Sequence, residues 1–329
     1  MFPAFRLPVL TRLLVAVAAL ATWLPSALTG HAAAATAISA SRLVFDSNRT
    51  GNYEIFSMGF DGAAPQQLTT DTRFDSWWPR LSPDRTQILF YRTPAGTHDR
   101  DFAKTSLWAM AADGTGVHQV IANGANQWQL QGHAMWSPSG TQLVMFAGSS
   151  SNPQIWVTNA DGSAPRQVTA RPGTNVDPSW DASGGSLLFI GCPVAACVGA
   201  SYEVYRVSTD GKTYQRLTSD AARDQDPAAS PDGRAIAWLR QTTAPSWGIY
   251  AMNADGSGQH RVVADLQVNS KPAWSDDGNW VFFHRLAAGQ TSFGIWRVHP
   301  DGTQMSEIDG HALVGPSPYA NEYPDAGVF

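Results

Sequence analysis

The sequence is poor in cysteine and in charge. Two cysteines in 329 residues exclude a disulfide-dense scaffold and a zinc site built from cysteine alone, which needs more than a pair. Charged residues make up only 15% of the chain, 22 Lys+Arg against 27 Asp+Glu. That leaves neither the basic stripe of a nucleic-acid binder nor the composition of a disordered acidic tail. Catalytic signatures are missing as well. There is no G-x-S-x-G elbow and no C-x-x-C, and Gly211-Lys212-Thr213 lacks the upstream glycine of a phosphate loop. The histidines are scattered, with no pair at metal-ligand spacing.

Long apolar runs are also absent. Leu13 to Leu24 stops at Pro25, short of the about 20 residues of a membrane-spanning helix. Arg6 and Arg12 precede it and small residues follow from Ala32 to Ala37, the order of a secretory signal. Residues 1–37 are therefore read as the signal and 38–329 as one mature domain, an uncleaved anchor being the alternative. No cysteine follows the run to carry a lipid. Losing Arg6 and Arg12 leaves 20 basic against 27 acidic residues, a net of −7. The expected location is secreted or periplasmic, with no transmembrane segment after processing.

What is plentiful is turn chemistry. The chain holds 29 Gly, 21 Pro and 13 Trp, a composition of short strands and tight turns. Asp-Gly recurs at Asp61, Asp113, Asp161, Asp210, Asp255 and Asp301, at intervals of 52, 48, 49, 45 and 46 residues. Five residues before each Asp stands an aromatic: Phe56, Trp108, Trp156, Tyr205, Tyr250 and Trp296. An aliphatic precedes each aromatic, and another follows each Asp by seven residues. Upstream of the aromatic lies a short apolar run, such as Leu43-Val44-Phe45 or Val281-Phe282-Phe283, that reads as a strand buried on both faces. Turns such as Ser82-Pro83-Asp84 and Ser230-Pro231-Asp232-Gly233 precede five of these runs. The last strand of each unit is polar, as suits an outer edge.

A unit is thus four antiparallel strands, the size of a propeller blade. The first unit, from about Ser41, lacks its innermost strand, and Asn321-Glu322-Tyr323-Pro324 matches the start of one. The expected fold is an all-β, six-bladed β-propeller of four-stranded antiparallel blades. It closes by pairing the C-terminal strand with the N-terminal three.

Units such as Pro227-Ala228-Ala229-Ser230-Pro231-Asp232-Gly233 and Ile249-Tyr250-Ala251-Met252-Asn253-Ala254-Asp255-Gly256 resemble the TolB-type six-bladed β-propeller repeat. The resemblance runs over essentially the whole mature chain. The repeat begins within a few residues of the signal, so the α/β domain that precedes the propeller in TolB is not expected here. The resemblance implies a propeller that receives a partner's segment at its channel mouth.

Antiparallel geometry puts the Ser-Pro-Asp-Gly and Asp-Gly turns on one face, the turn face. The longer, varied loops share the other, the mouth face. They include Thr93 to Ser106, with His98, Asp99, Arg100, Asp101 and Lys104, and Ala122 to Gly132, with Trp128. Function concentrates on such loops. Alignment on the Pro-x-Trp positions puts Trp78, His133, Asp177, Asp226, Lys271 and Tyr323 around the mouth. Ser76, Gln131, Asn175, Asp224, Asn269 and Asn321, two residues earlier, are expected on the same side by strand periodicity. The candidate partner site is therefore Trp78, His133, Asp177, Asp224, Asp226, Lys271 and Tyr323, with no catalytic or metal residues assigned.

Asp177, Asp224 and Asp226 are also the residues that could approach a Ca²⁺, though no cofactor is called for. Oligogalacturonate lyases share a related repeat and hold a metal through several central histidines, whereas only His133 falls on this ring. Cys192 and Cys197 are expected to close one mouth-face loop as a disulfide in an exported chain. The overall expectation is a non-catalytic, monomeric binding module for a protein or cell-envelope component, with no nucleic-acid partner. The alternatives are a carbohydrate-active lyase or hydrolase, or a small-ligand or Ca²⁺ propeller.

Overall fold

Each short apolar run folds as the second strand of a blade. These strands are Arg42–Ser47, Gln87–Pro94, Gln142–Ser149, Ser186–Gly191, Ala235–Thr243 and Val281–Leu286. Leu43, Val44 and Phe45 in the first, and Phe282 and Phe283 in the last, are all fully buried, as a strand packed between two neighbouring blades requires. The aromatic positions form the third strands, and the outer strands are short and polar. The computed structural model describes residues 42–192, 202–243, 246–263, 268–310 and 320–325. The expected signal, 1–37, and Cys197 lie outside the described residues. Among the described residues no helix is long and apolar enough to cross a membrane.

Six four-stranded antiparallel blades result. Blade 1 is closed by both ends of the described chain: Asn321–Asp325 pairs antiparallel with Arg42–Ser47, with Glu322 opposite Asp46 and Asn321 opposite Ser47. Blades 2 to 6 have Phe74–Leu81, Leu130–Trp136, Asn175–Trp180, Arg223–Ala229 and Val268–Trp274 as innermost strands.

The Asp-Gly repeat has two jobs. Each Asp carboxylate accepts the N–H two residues on, at 2.9 Å for Asp113, Asp161, Asp255 and Asp301, which fixes the turn. Each glycine then lies against the outer strand of the preceding blade. A Cβ at Gly302 would sit 2.8 Å from the Val262 carbonyl oxygen, and one at Gly114 2.9 Å from that of Leu68. Gly62 of blade 1 meets Ile308 of blade 6 in the same way, so the contact runs round the whole ring. Tryptophans three residues past the ring positions tie the inner strands together. Trp136, Trp180 and Trp274 donate their indole N–H to Arg80, Met135 and Ala228 of the blade before, at 3.2, 3.4 and 3.1 Å.

Candidate functional site at the channel mouth

A β-bulge interrupts the innermost strand of every blade at one shared position. The register shifts between Trp77 and Arg80, Gly132 and Met135, Val176 and Ser179, Gln225 and Ala228, and Ser270 and Ala273, and opposite the 323–324 segment in blade 1. The bulged residues are Trp78, His133, Asp177, Asp226, Lys271 and Tyr323, all left-handed, with φ between 49° and 57°. None is glycine, so the conformation is costly at each. A bulge re-aims a side chain, and here six are turned toward the axis.

These side chains meet and form a floor across the channel. The His133 imidazole stacks on the Trp78 indole, centroids 3.8 Å apart and planes 3° apart. His133 Nδ1 is 2.6 Å from Asp177 Oδ1. On the other side Lys271 donates to Asp226, and its Nζ lies 3.5 Å from the centre of the Trp78 ring. Burial pushes the Asp226 carboxyl above its ordinary range despite Lys271, and pulls the Lys271 ammonium below its own. Burial also acts to raise Asp177, but the hydrogen bond and charge of His133 outweigh it and hold that carboxyl low.

Asp224 is placed elsewhere. It is fully buried and held by Arg240 Nε and Nη2 at 2.8 and 2.9 Å and by the Trp238 indole N–H at 3.0 Å. Ser76, Gln131, Asn175, Asn269 and Asn321 are buried like it, with no more than 2% exposed. The bulge is the reason: it breaks the two-residue alternation, so a residue two positions before the ring no longer shares its side. Cys192 is buried and disulfide-bonded, while its expected partner Cys197 lies outside the described residues.

Above the floor opens a cavity of about 360 Å³, lined by Trp78, Asp99, Phe102, His133, Phe146 and Lys271 among others. The 93–106 loop shapes its rim. Asp75, 2% exposed, accepts the N–H groups of Gly96, Thr97 and His98 at 2.7, 3.1 and 3.0 Å and of Tyr53 at 3.2 Å. That anchor sends the loop tip down into the mouth. There Asp99 accepts the Tyr323 hydroxyl and lies 3.8 Å from His133 Nε2. His98 stacks on Tyr53 at 3.6 Å and faces Asp46 at 3.5 Å. Tyr53 donates to Glu322 at 2.9 Å, and burial pushes the Glu322 carboxyl up to about 7. Trp128 of the second loop is 6% exposed and packs on Trp156, so it belongs to the core.

Asp46, Asp75 and Glu322 were not among the expected site residues. They stand at positions the repeat does not mark, and only the closed ring brings them together. For a cation, His133, Asp177 and Asp226 each offer one ligand atom, all within 4.8 Å of one another. The set does not suit Ca²⁺, which takes 6–8 oxygens. Only two carboxylates are present, one held by His133 and the other by the Lys271 ammonium.

The profile of the TolB beta propeller domain matches residues 114–313. The chain is 29% identical over 153 residues to a protein TolB homolog of Chlorobium luteolum, covering 46% of this chain and 31% of that one. It is 25% identical over 148 residues to the Tol-Pal system protein TolB of Anaeromyxobacter dehalogenans, covering 44% and 30%. The matches thus span about a third of the length of these curated relatives. Among solved structures, TolB from Acinetobacter baumannii superposes with a TM-score of 0.68 at 15% identity, over 87% of this chain and 66% of that one, a likeness of fold.

Proposed function

This chain belongs to the TolB β-propeller domain family, and on that premise we propose that it is an exported, non-catalytic binding module for a protein segment of the cell envelope. The segment docks on the mouth face, its tip resting on the floor of bulged residues. Relatives named as Tol-Pal system proteins support a protein partner and a periplasmic or secreted location.

The observation that carries the reading is the bulge repeated in all six blades. Six strained, non-glycine residues hold one layer of side chains in one place, and such strain clusters at functional sites. The cavity above is part aromatic (Trp78, Phe102, Phe146) and part charged (Asp99, His133, Lys271), the mixture that recognises a specific peptide tip. The two floor carboxylates are each held, Asp177 by His133 and Asp226 by Lys271, which favours binding over carboxylate catalysis.

The test is affinity capture from a cell-envelope extract with the wild type and a Phe102→Ala/Asp99→Ala variant whose fold is checked by circular dichroism. A partner captured by the wild type and lost by the folded variant supports the reading. An unchanged set of captured proteins overturns it.

A further inference from the structure

Blade 1 carries a cross-strand pair that no other blade repeats. Glu322 stands opposite Asp46 in the ladder between the innermost and second strands. The matching positions, one residue before the bulge, are Trp77 opposite Tyr91, Gly132 opposite Phe146, Val176 opposite Ile190, Gln225 opposite Leu239 and Ser270 opposite His284. None of those five pairs holds a carboxylate. Like charges directly opposite across an antiparallel pair destabilise it, and Asp46 is fully buried, which makes an unmatched charge costlier still. Two carboxylates therefore face each other at the strand pair that closes the ring.

The counter-charge comes from a third segment. The 93–106 loop of blade 2 lowers His98 against the pair, its Nε2 3.5 Å from Asp46 Oδ2 and its ring stacked on Tyr53. Tyr53 in turn donates to Glu322 at 2.9 Å, so one loop, one strand and the closing strand meet in a single buried group. The other neighbours of the imidazole are Asp99 of its own loop, Asp75, which accepts the His98 N–H at 3.0 Å, and Tyr323, with ring centroids 5.8 Å apart. His284 of blade 6 adds no charge: its Nδ1 accepts the Tyr323 N–H at 2.9 Å, and burial pulls the imidazole down to about 3. On its outer side the loop borders a second cavity of about 630 Å³, lined by Asn52, Tyr53, Gly96 and Arg100 among others. The loop thus runs between two open spaces, with room to lift.

We infer that Asp46, Glu322 and His98 form a pH-sensitive latch, which seats the mouth-face loop on the closing strand pair and frees it as pH rises. Burial raises the Asp46 carboxyl and pushes Glu322 up to about 7. Burial acts to lower the His98 imidazolium, but the contact with Asp46 and its charge outweigh this and hold it above its ordinary value. All three groups hold protons more tightly in the seated state than in water. Their contribution is therefore complete at low pH and is lost as pH rises, first as Glu322 ionises opposite Asp46. A lifted loop takes Asp99 and Phe102 out of the mouth, so partner docking follows the same pH dependence. That consequence rests on the proposed function, whereas the latch does not.

The experiment is hydrogen exchange on the purified chain, without partner, at about pH 6 and about pH 8.5, corrected for the intrinsic exchange rate. Protection at residues 96–101 should fall about tenfold at the higher pH, with the second strands of the blades unchanged. Glu322→Gln, which leaves only one carboxylate beside His98, should remove most of that fall. Asp75→Asn, which loosens the loop without touching the latch, should lower protection at both pH values and keep the fall. Equal protection of 96–101 in the wild type at the two pH values overturns the inference, and this comparison needs no variant. So does a fall shared equally by the second strands, or one undiminished in Glu322→Gln.

Discussion

Lys271 of blade 6 places its ammonium 3.5 Å from the centre of the Trp78 indole of blade 2, although blade 1 stands between those blades in the ring. The contact therefore crosses the channel, and together with the Trp78–His133 stack it closes the mouth with a floor. On the proposed reading, a partner segment meets a layer of fixed side chains there.

Removing the cation from this floor should be costly. Lys271→Met leaves Asp226 buried without its partner, and breaking a buried pair from one side costs about 3–5 kcal/mol. The loss in urea denaturation should shrink as pH falls, because burial raises the Asp226 carboxyl and eases its protonation once the ammonium is gone. A Lys271→Met/Asp226→Leu double variant should recover most of it.

Glu322 makes stability depend on pH. Burial raises its carboxyl from 4.5 to about 7, so the folded state holds this proton more tightly than the unfolded state. Its contribution is complete below the unfolded value and is lost as pH rises through about 7, a change of about 3 kcal/mol. Glu322→Gln keeps an acceptor for Tyr53 and should flatten this part of the curve of unfolding free energy against pH. Parallel curves for the two proteins would contradict the assignment.

Asp75→Asn turns an amide toward the N–H groups that the carboxylate now accepts from Gly96, Thr97 and His98. Leaving buried donors unmatched costs about 1–3 kcal/mol. Hydrogen exchange should rise at residues 96–98 and stay unchanged in the blades.

Two glycines separate turn strain from blade contact. Gly289 and Gly302 have φ of 81° and 85°, but a Cβ at Gly289 meets nothing within 4 Å while one at Gly302 meets the Val262 carbonyl. Gly289→Ala should cost about 1 kcal/mol, and Gly302→Ala about 1–3 kcal/mol more. Melting temperatures of the two variants check the difference.

The fold was legible because a propeller writes each blade into the chain separately. Asp-Gly, the aromatic five residues before it and the aliphatic seven after it are local demands of one turn and two strands. The ring positions Trp78 to Tyr323 were legible for the same reason. Asp224 was not, since a bulge is a two-for-one mismatch between paired strands and leaves no mark in residue spacing. Asp75 and Glu322 act through partners on other segments, and Asp46 and Glu322 face each other only because Glu322 returns to complete blade 1. Such relations belong to ring closure, which no local pattern records.

The central claim is that a protein partner docks at the mouth face. A photo-cross-linking amino acid at position 100, exposed on the mouth-face loop, and another at position 232, exposed in a turn on the opposite face, compare the two faces in envelope extract. The account predicts a discrete cross-linked protein from position 100 and none from position 232. Cross-linking from position 232 alone, or from neither, would contradict it.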